Sequence, residues 1–113
     1  MDACYEYGKK AHQTSYANVG EYAELVVQAT GMNKASAIMY IYAVWSMIEG
    51  VTYKRAINSK ATKKYFDRIY QEFGASGLQN AIKATRGHAA YRQQFGHPVD
   101  SIMAICKKYE QLL

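Results

Sequence analysis

Apolar residues recur every three to four positions along nearly the whole chain, which is the spacing of amphipathic helices. The pattern predicts six helical segments, over residues 2–13, 18–31, 33–50, 59–74, 76–95 and 99–111. The third segment is apolar around most of its circumference, which is typical of the most buried helix of a bundle. Between the third and fourth segments the helical spacing is lost over a stretch too short for strand pairing. The fold class is therefore predicted to be all-α, a compact bundle of five or six helices with a short extended connector near residues 51–57.

Residues at the segment boundaries have the chemistry of helix caps. Asn18 and Glu21 have the spacing of a capping box, with Asn in place of Ser or Thr. Asn33 is a favourable N-cap for the third helix, and Gly74 is predicted to end the fourth. Gly8 lies inside the first helix and is expected to weaken it, because glycine is a poor helix former.

Length and composition narrow the class of protein. With 113 residues and a mass of 12.8 kDa, the chain is predicted to form a single domain over 1–113. Half of the residues are hydrophobic and a fifth are charged, which excludes a disordered tail. The longest apolar stretch, over residues 35–48, is shorter than the ~20 residues that span a bilayer, and the N-terminal residues are too polar for a signal peptide. A cytoplasmic protein with reduced cysteines and no membrane partner is expected.

The positive charge is concentrated in one part of the chain. The net charge is +5, but residues 51–92 alone carry nine Lys and Arg against two Asp and Glu, a net +7. The remainder of the chain is therefore slightly acidic, at −2. This segregation favours an anionic partner such as nucleic acid.

The fourth predicted helix carries a basic stripe. Lys60, Lys64 and Arg68 are spaced four residues apart, with Lys63 beside them, so they share a face away from the apolar one. Such a stripe is suited to the phosphate backbone, although a solvated helix face has the same pattern. The residues predicted to bind nucleic acid are Lys54, Arg55, Lys60, Lys63, Lys64, Arg68, Arg86 and Arg92.

Three rings close to these cations could stack on unpaired bases. Tyr53, His88 and Tyr91 are the stacking candidates. His88 and Tyr91 are three residues apart on one predicted helix, so a packed or hydrogen-bonded core pair is the alternative.

Catalytic and cofactor motifs are missing from the sequence. The three histidines are scattered, and the two cysteines, Cys4 and Cys106, have no metal-binding spacing. Cys106 lies on the apolar face of the last helix and would need a distant histidine to act as a nucleophile. No catalytic residue, metal or cofactor is predicted, and the chain is not expected to be an enzyme.

Residues 35–109 contain an ordered series of motifs: Gly50-x-x-Tyr53-Lys54-Arg55, Thr62-x-x-Tyr65-Phe66-x-x-Ile69, Phe73-Gly74-x-x-Gly77-Leu78-x-x-Ala81 and His88-x-x-Tyr91. This order resembles a small helical module associated with HNH-type restriction endonucleases and phage-defence proteins. The resemblance implies a DNA-handling or defence setting for Lys54, Arg55 and the helix that follows them. The His-Asn-His nuclease core itself is absent from the sequence.

Two functions follow from these patterns. The first is a small basic module that binds nucleic acid, with DNA favoured, through a Lys/Arg face on residues 54–68. The alternative is a non-catalytic protein-interaction module, or an inhibitor that acts on a nucleic-acid-handling complex, with Tyr, Trp and Arg side chains as anchors. A homodimer is also possible, because the third helix is apolar on several sides and a second copy of the chain would bury the sides that the other helices leave exposed.

Overall fold

A computed structural model describes residues 2–14 and 18–113 of the chain, and this part contains helices but no strands. Its five helices are α1 (Asp2–Gln13), α2 (Val19–Thr30), α3 (Lys34–Glu49), α4 (Ser59–Gln93) and α5 (Asp100–Glu110). Residues 51–58 form an irregular connector between α3 and α4. The all-α prediction, with its short connector, is confirmed.

Helix α4 reverses direction at Gly74, whose backbone is left-handed with φ 71° and ψ −159°. In a straight helix, residues 66 and 86 would be about 30 Å apart at 1.5 Å per residue. Instead, Phe66 packs edge-on against Tyr109 of α5, and Arg86 forms an ion pair with the adjacent Glu110. The predicted end of a helix at Gly74 is therefore confirmed, and α4 consists of two helical halves that fold back on each other.

The chain divides into two compact units, Met1–Trp45 and Ser46–Leu113. The charge follows this division, because the second unit has eleven Lys and Arg against five Asp and Glu, a net +6, whereas the first is at −1. We refer to Met1–Trp45 as unit 1 and to Ser46–Leu113 as unit 2. The single domain over 1–113 stays a prediction.

The core of unit 1 is formed by small and β-branched side chains of α1, α2 and the first turns of α3. Its buried residues are Cys4, Ala11, Val19, Ala23, Val26, Ala37 and Ile41. Gly8 of α1 is buried against α3, where a Cβ atom would lie 2.6 Å from the Cβ of Val44. The glycine that weakens α1 as an isolated helix is thus required for close packing of the two helices.

Substituting Gly8 by Ala is expected to destabilise the protein by a net of about 1–2 kcal/mol, because overpacking outweighs the gain in helix propensity. The Val44 Cβ atom is fixed to the α3 backbone and cannot rotate away. Gly20→Ala is the matched control, since a Cβ at this position in α2 has nothing within 4 Å. We expect it to be neutral or stabilising by up to about 1 kcal/mol. Urea denaturation of both variants tests this contrast, and equal effects would contradict the packing role of Gly8.

The helix N-caps agree only in part with the sequence prediction. The Asn33 side chain accepts hydrogen bonds from the backbone N–H of Ala35 and Ser36 at 2.9 and 3.3 Å, as expected. Asn18 makes no side-chain cap hydrogen bond, so the predicted capping box is wrong. Its backbone, at φ −86° and ψ 2°, lacks the extended conformation that aims an N-cap side chain at the helix. The N-cap of α4 is Asn58, which accepts from Ala61 N–H at 2.7 Å.

Unit 2 is built from the end of α3, the connector, both halves of α4 and helix α5. Its largest fully buried side chains are Met47, Tyr65, Phe66, Ile69, Leu78, Thr85 and His88. Although α4 is the longest helix in the described residues, none of the helices there is both long and apolar enough to cross a membrane.

Candidate functional site

The first half of α4 (residues 59–73) runs parallel to α5. Near their starts, Ser59 and Ser101 line the same groove. Further along, the Tyr109 hydroxyl donates a hydrogen bond of 2.8 Å to the Asp67 carboxylate. Both helices therefore begin at the same end of unit 2, and the positive ends of their dipoles are close together.

An open groove of about 340 Å³ separates the two helices at this end. It is lined by Ser59, Lys63, Ser101, Ala104, Ile105 and Lys108. Lys63 comes from α4 and Lys108 from α5, so each wall contributes one lysine. Both lysines are exposed, and neither forms an ion pair with a carboxylate of residues 2–14 or 18–113. The groove therefore offers two uncompensated positive charges.

Other cations of unit 2 are also exposed. Lys60 lies one turn before Lys63 on α4, and Lys107 precedes Lys108 on α5. In the connector, Arg55 is exposed, and the Lys54 ammonium lies 5.5 Å from the centroid of the Tyr91 ring. Lys107 and Lys108 are absent from the sequence-predicted set, because only the fold places α5 beside α4.

Four of the predicted phosphate-binding residues are less available than expected. Arg68 forms an ion pair with Glu72 at 3.3 Å, one turn along the same helix. Arg86 is paired with Glu110, while Lys64 and Arg92 are half-buried. The predicted stripe of Lys60, Lys64 and Arg68 is therefore not a uniform row of free charges.

Tyr53 and His88 form a closed stack inside unit 2. Tyr53 is 5% exposed and His88 is 2% exposed, and their rings are 4.4 Å apart and 13° from parallel. The Tyr53 hydroxyl and the Thr85 hydroxyl are 3.0 Å apart, and His88 Nδ1 lies 2.7 Å from the Tyr53 carbonyl oxygen. The prediction that these two rings stack on bases is wrong, because both rings are buried and a base cannot reach them.

Tyr91 is the third predicted stacking residue, and it is half-buried. Its ring packs edge-on against Phe95 at 5.1 Å between centroids and faces the Lys54 ammonium. The packed partner of His88 is thus Tyr53 of the connector, rather than Tyr91 on its own helix.

Unfolding should become easier at acidic pH because His88 is buried in neutral form. Burial lowers the pKa of His88, and the positive charge of Arg92 lowers it further. The hydrogen bond to the Tyr53 carbonyl acts in the opposite direction but does not outweigh them. As pH falls below the unfolded value of about 6.5, the unfolded chain binds a proton that the folded chain does not, so the unfolding free energy falls.

Urea denaturation at pH 7 and pH 5 tests this prediction, with His88→Phe as the comparison because it keeps a ring and removes the titration. The wild type should lose more stability between the two pH values than the variant. Equal losses would contradict the assignment to His88.

Cys106 has the surroundings of a packing residue rather than a nucleophile. It is fully buried, and burial raises the pKa of its thiol, opposed by the nearby Arg86. A nucleophilic cysteine needs a histidine as its base, but the Nδ1 atom of His88 is already hydrogen-bonded to the Tyr53 carbonyl oxygen. Among the described residues there is also no group of three or more His, Cys, Asp and Glu side chains that could hold a metal ion.

The groove and its exposed lysines are thus a candidate ligand-binding feature of unit 2. Comparisons with protein-family models, curated proteins and solved structures give no match to this chain. The resemblance to a helical module of HNH-type restriction endonucleases therefore stays a prediction.

Proposed function

We propose that this chain binds nucleic acid, with DNA favoured, through the exposed lysines on the first half of α4 and on α5. The observation that carries the proposal is the groove between these helices, with Lys63 on one wall and Lys108 on the other. Two uncompensated ammonium groups on facing helices form a surface that complements a polyanion.

The wider charge distribution supports the same partner. Unit 2 has a net charge of +6, and Lys60 and Lys107 extend the positive surface beyond the groove. Nucleic acid is the common cellular polyanion with closely spaced charges, about one per 1.7 Å of duplex axis. A basic surface of this kind gains affinity by releasing counterions.

The expected mode of binding is contact with phosphates rather than with bases. Tyr53 and His88 are buried against each other and present no free ring face. Lysine ammonium groups contact phosphates without reading sequence. Binding should therefore depend strongly on salt and weakly on base sequence.

Fluorescence anisotropy with labelled single- and double-stranded DNA and RNA tests the proposal. Two to four phosphate contacts should give a slope of log K against log salt of roughly −2 to −4. Comparing the four probes will establish the preferred nucleic acid and strand form. Absence of binding at low salt, or binding that salt leaves unchanged, would contradict the proposal.

A protein-interaction module is the second candidate, and exposed apolar side chains of unit 2 favour it. Tyr70, Phe73 and Leu112 are all exposed, and the Tyr70 hydroxyl lies 3.5 Å from the Leu112 carbonyl oxygen. Exposed aromatic side chains are enriched in protein interfaces. This candidate predicts that nucleic acid does not bind. A restriction or phage-defence setting rests on the sequence resemblance alone.

A further inference from the structure

The groove between α4 and α5 has a more specific role if the proposed function is correct, and this inference rests on that function. We infer that Lys63 and Lys108 hold one and the same backbone phosphate, which enters the groove between them. Ser59 and Ser101, which each carry a hydroxyl group, also line the groove. The groove is thus a single phosphate subsite, rather than two independent contacts along a strand.

The size of the groove limits what it can hold. Its volume of about 340 Å³ is at the small end of ligand sites, which range from about 300 to 1,000 Å³. A duplex cannot enter a space of this size, whereas one sugar–phosphate unit can. The ammonium groups on opposite walls would then approach the same phosphate from two sides.

The remaining lining residues suit the sugar attached to that phosphate. Ala104 of α5 provides an exposed apolar surface beside the two lysines, to which the largely buried Ile105 adds little. A sugar ring has apolar C–H groups that can pack on such a surface while the phosphate stays with the ammonium groups.

Nearby carboxylates do not occupy the groove. Asp67 lies one turn beyond Lys63 and accepts the hydrogen bond from Tyr109. Asp100 precedes Ser101 at the start of α5 but does not line the groove. Neither carboxylate forms an ion pair with Lys63 or Lys108 in the described part of the chain. The positive charge of the walls is therefore available to an anion.

A double-mutant cycle on DNA binding tests whether the two lysines share a phosphate. The variants are Lys63→Gln, Lys108→Gln and the double variant, with Lys83→Gln as control because Lys83 is exposed on α4 but does not line the groove. If one phosphate is shared, the two single effects on affinity should not add, and the double variant should reduce the salt slope by about one. Additive effects with a slope reduction of about two would overturn the inference.

Thermal unfolding with inorganic pyrophosphate separates this inference from the proposed function. At constant ionic strength, pyrophosphate should raise the Tm of the wild type and of Lys83→Gln, and leave the double variant unchanged. Equal shifts for all three proteins, or none, would overturn the groove as a phosphate subsite even if DNA binds. Selective stabilisation without any DNA binding would support the subsite and contradict the nucleic-acid proposal alone.

Discussion

Replacing Lys60, Lys63 and Lys108 together by Gln is expected to weaken DNA binding about tenfold or more and to reduce the salt slope by about two. The variant should lose its contacts to two phosphates, because Lys63 and Lys108 share one phosphate and Lys60 contacts another. Glutamine keeps most of the length of lysine, so the change removes charge with little loss of packing. Fluorescence anisotropy across a salt series measures both quantities.

The matched control removes the same amount of charge elsewhere. Lys10, Lys34 and Lys83 are exposed and lie outside the groove, and replacing all three by Gln also lowers the net charge from +5 to +2. The account predicts a much smaller loss of affinity for this control. Equal losses would show that net charge attracts the nucleic acid, without a defined site on α4 and α5.

Substituting Phe66 by Ala is expected to lower the unfolding free energy by about 3–5 kcal/mol. The Phe66 ring is fully buried and packs edge-on against Tyr109, with 5.2 Å between ring centroids. The substitution removes the central contact between the first half of α4 and α5, and so loosens the two walls of the groove. Urea denaturation measures the loss of stability, and anisotropy measures the accompanying loss of DNA binding.

Phe95→Ala provides the comparison for this substitution. Phe95 is 63% exposed at the end of α4, so its removal should change stability by no more than about 0.5 kcal/mol. If the two variants lost similar stability, the proposed packing of α4 on α5 would be wrong.

Local features of the fold could be predicted from the sequence because they depend on neighbouring residues. The apolar spacing predicts a helix over residues 2–13, and α1 spans Asp2–Gln13. The sequence also predicts the break at Gly74, because glycine is favoured where the backbone takes a positive φ at the end of an amphipathic helix. The spacing of Arg68 and Glu72 also permits the i, i+4 ion pair that the structure contains, and this pair removes Arg68 from the predicted stripe of free charges.

The candidate groove could not be predicted because its walls come from distant parts of the sequence. Lys63 and Lys108 are 45 residues apart, and nothing in their local patterns indicates that α5 runs parallel to the start of α4. The pairing of Tyr53 with His88 is equally non-local, so the local sequence does not reveal that both rings are buried. In both cases tertiary packing determines which side chains stay available.

Amide chemical shifts can map the surface that contacts DNA, and so distinguish the groove between α4 and α5 from the rest of the chain. The full chain, labelled with ¹⁵N, would be titrated with a short single-stranded oligodeoxynucleotide at low salt. We expect the largest shifts at the start of α4, around residues 59–64, and along residues 101–108 of α5, with small shifts in unit 1. Shifts confined to unit 1, or no shifts at saturating oligonucleotide, would contradict the account.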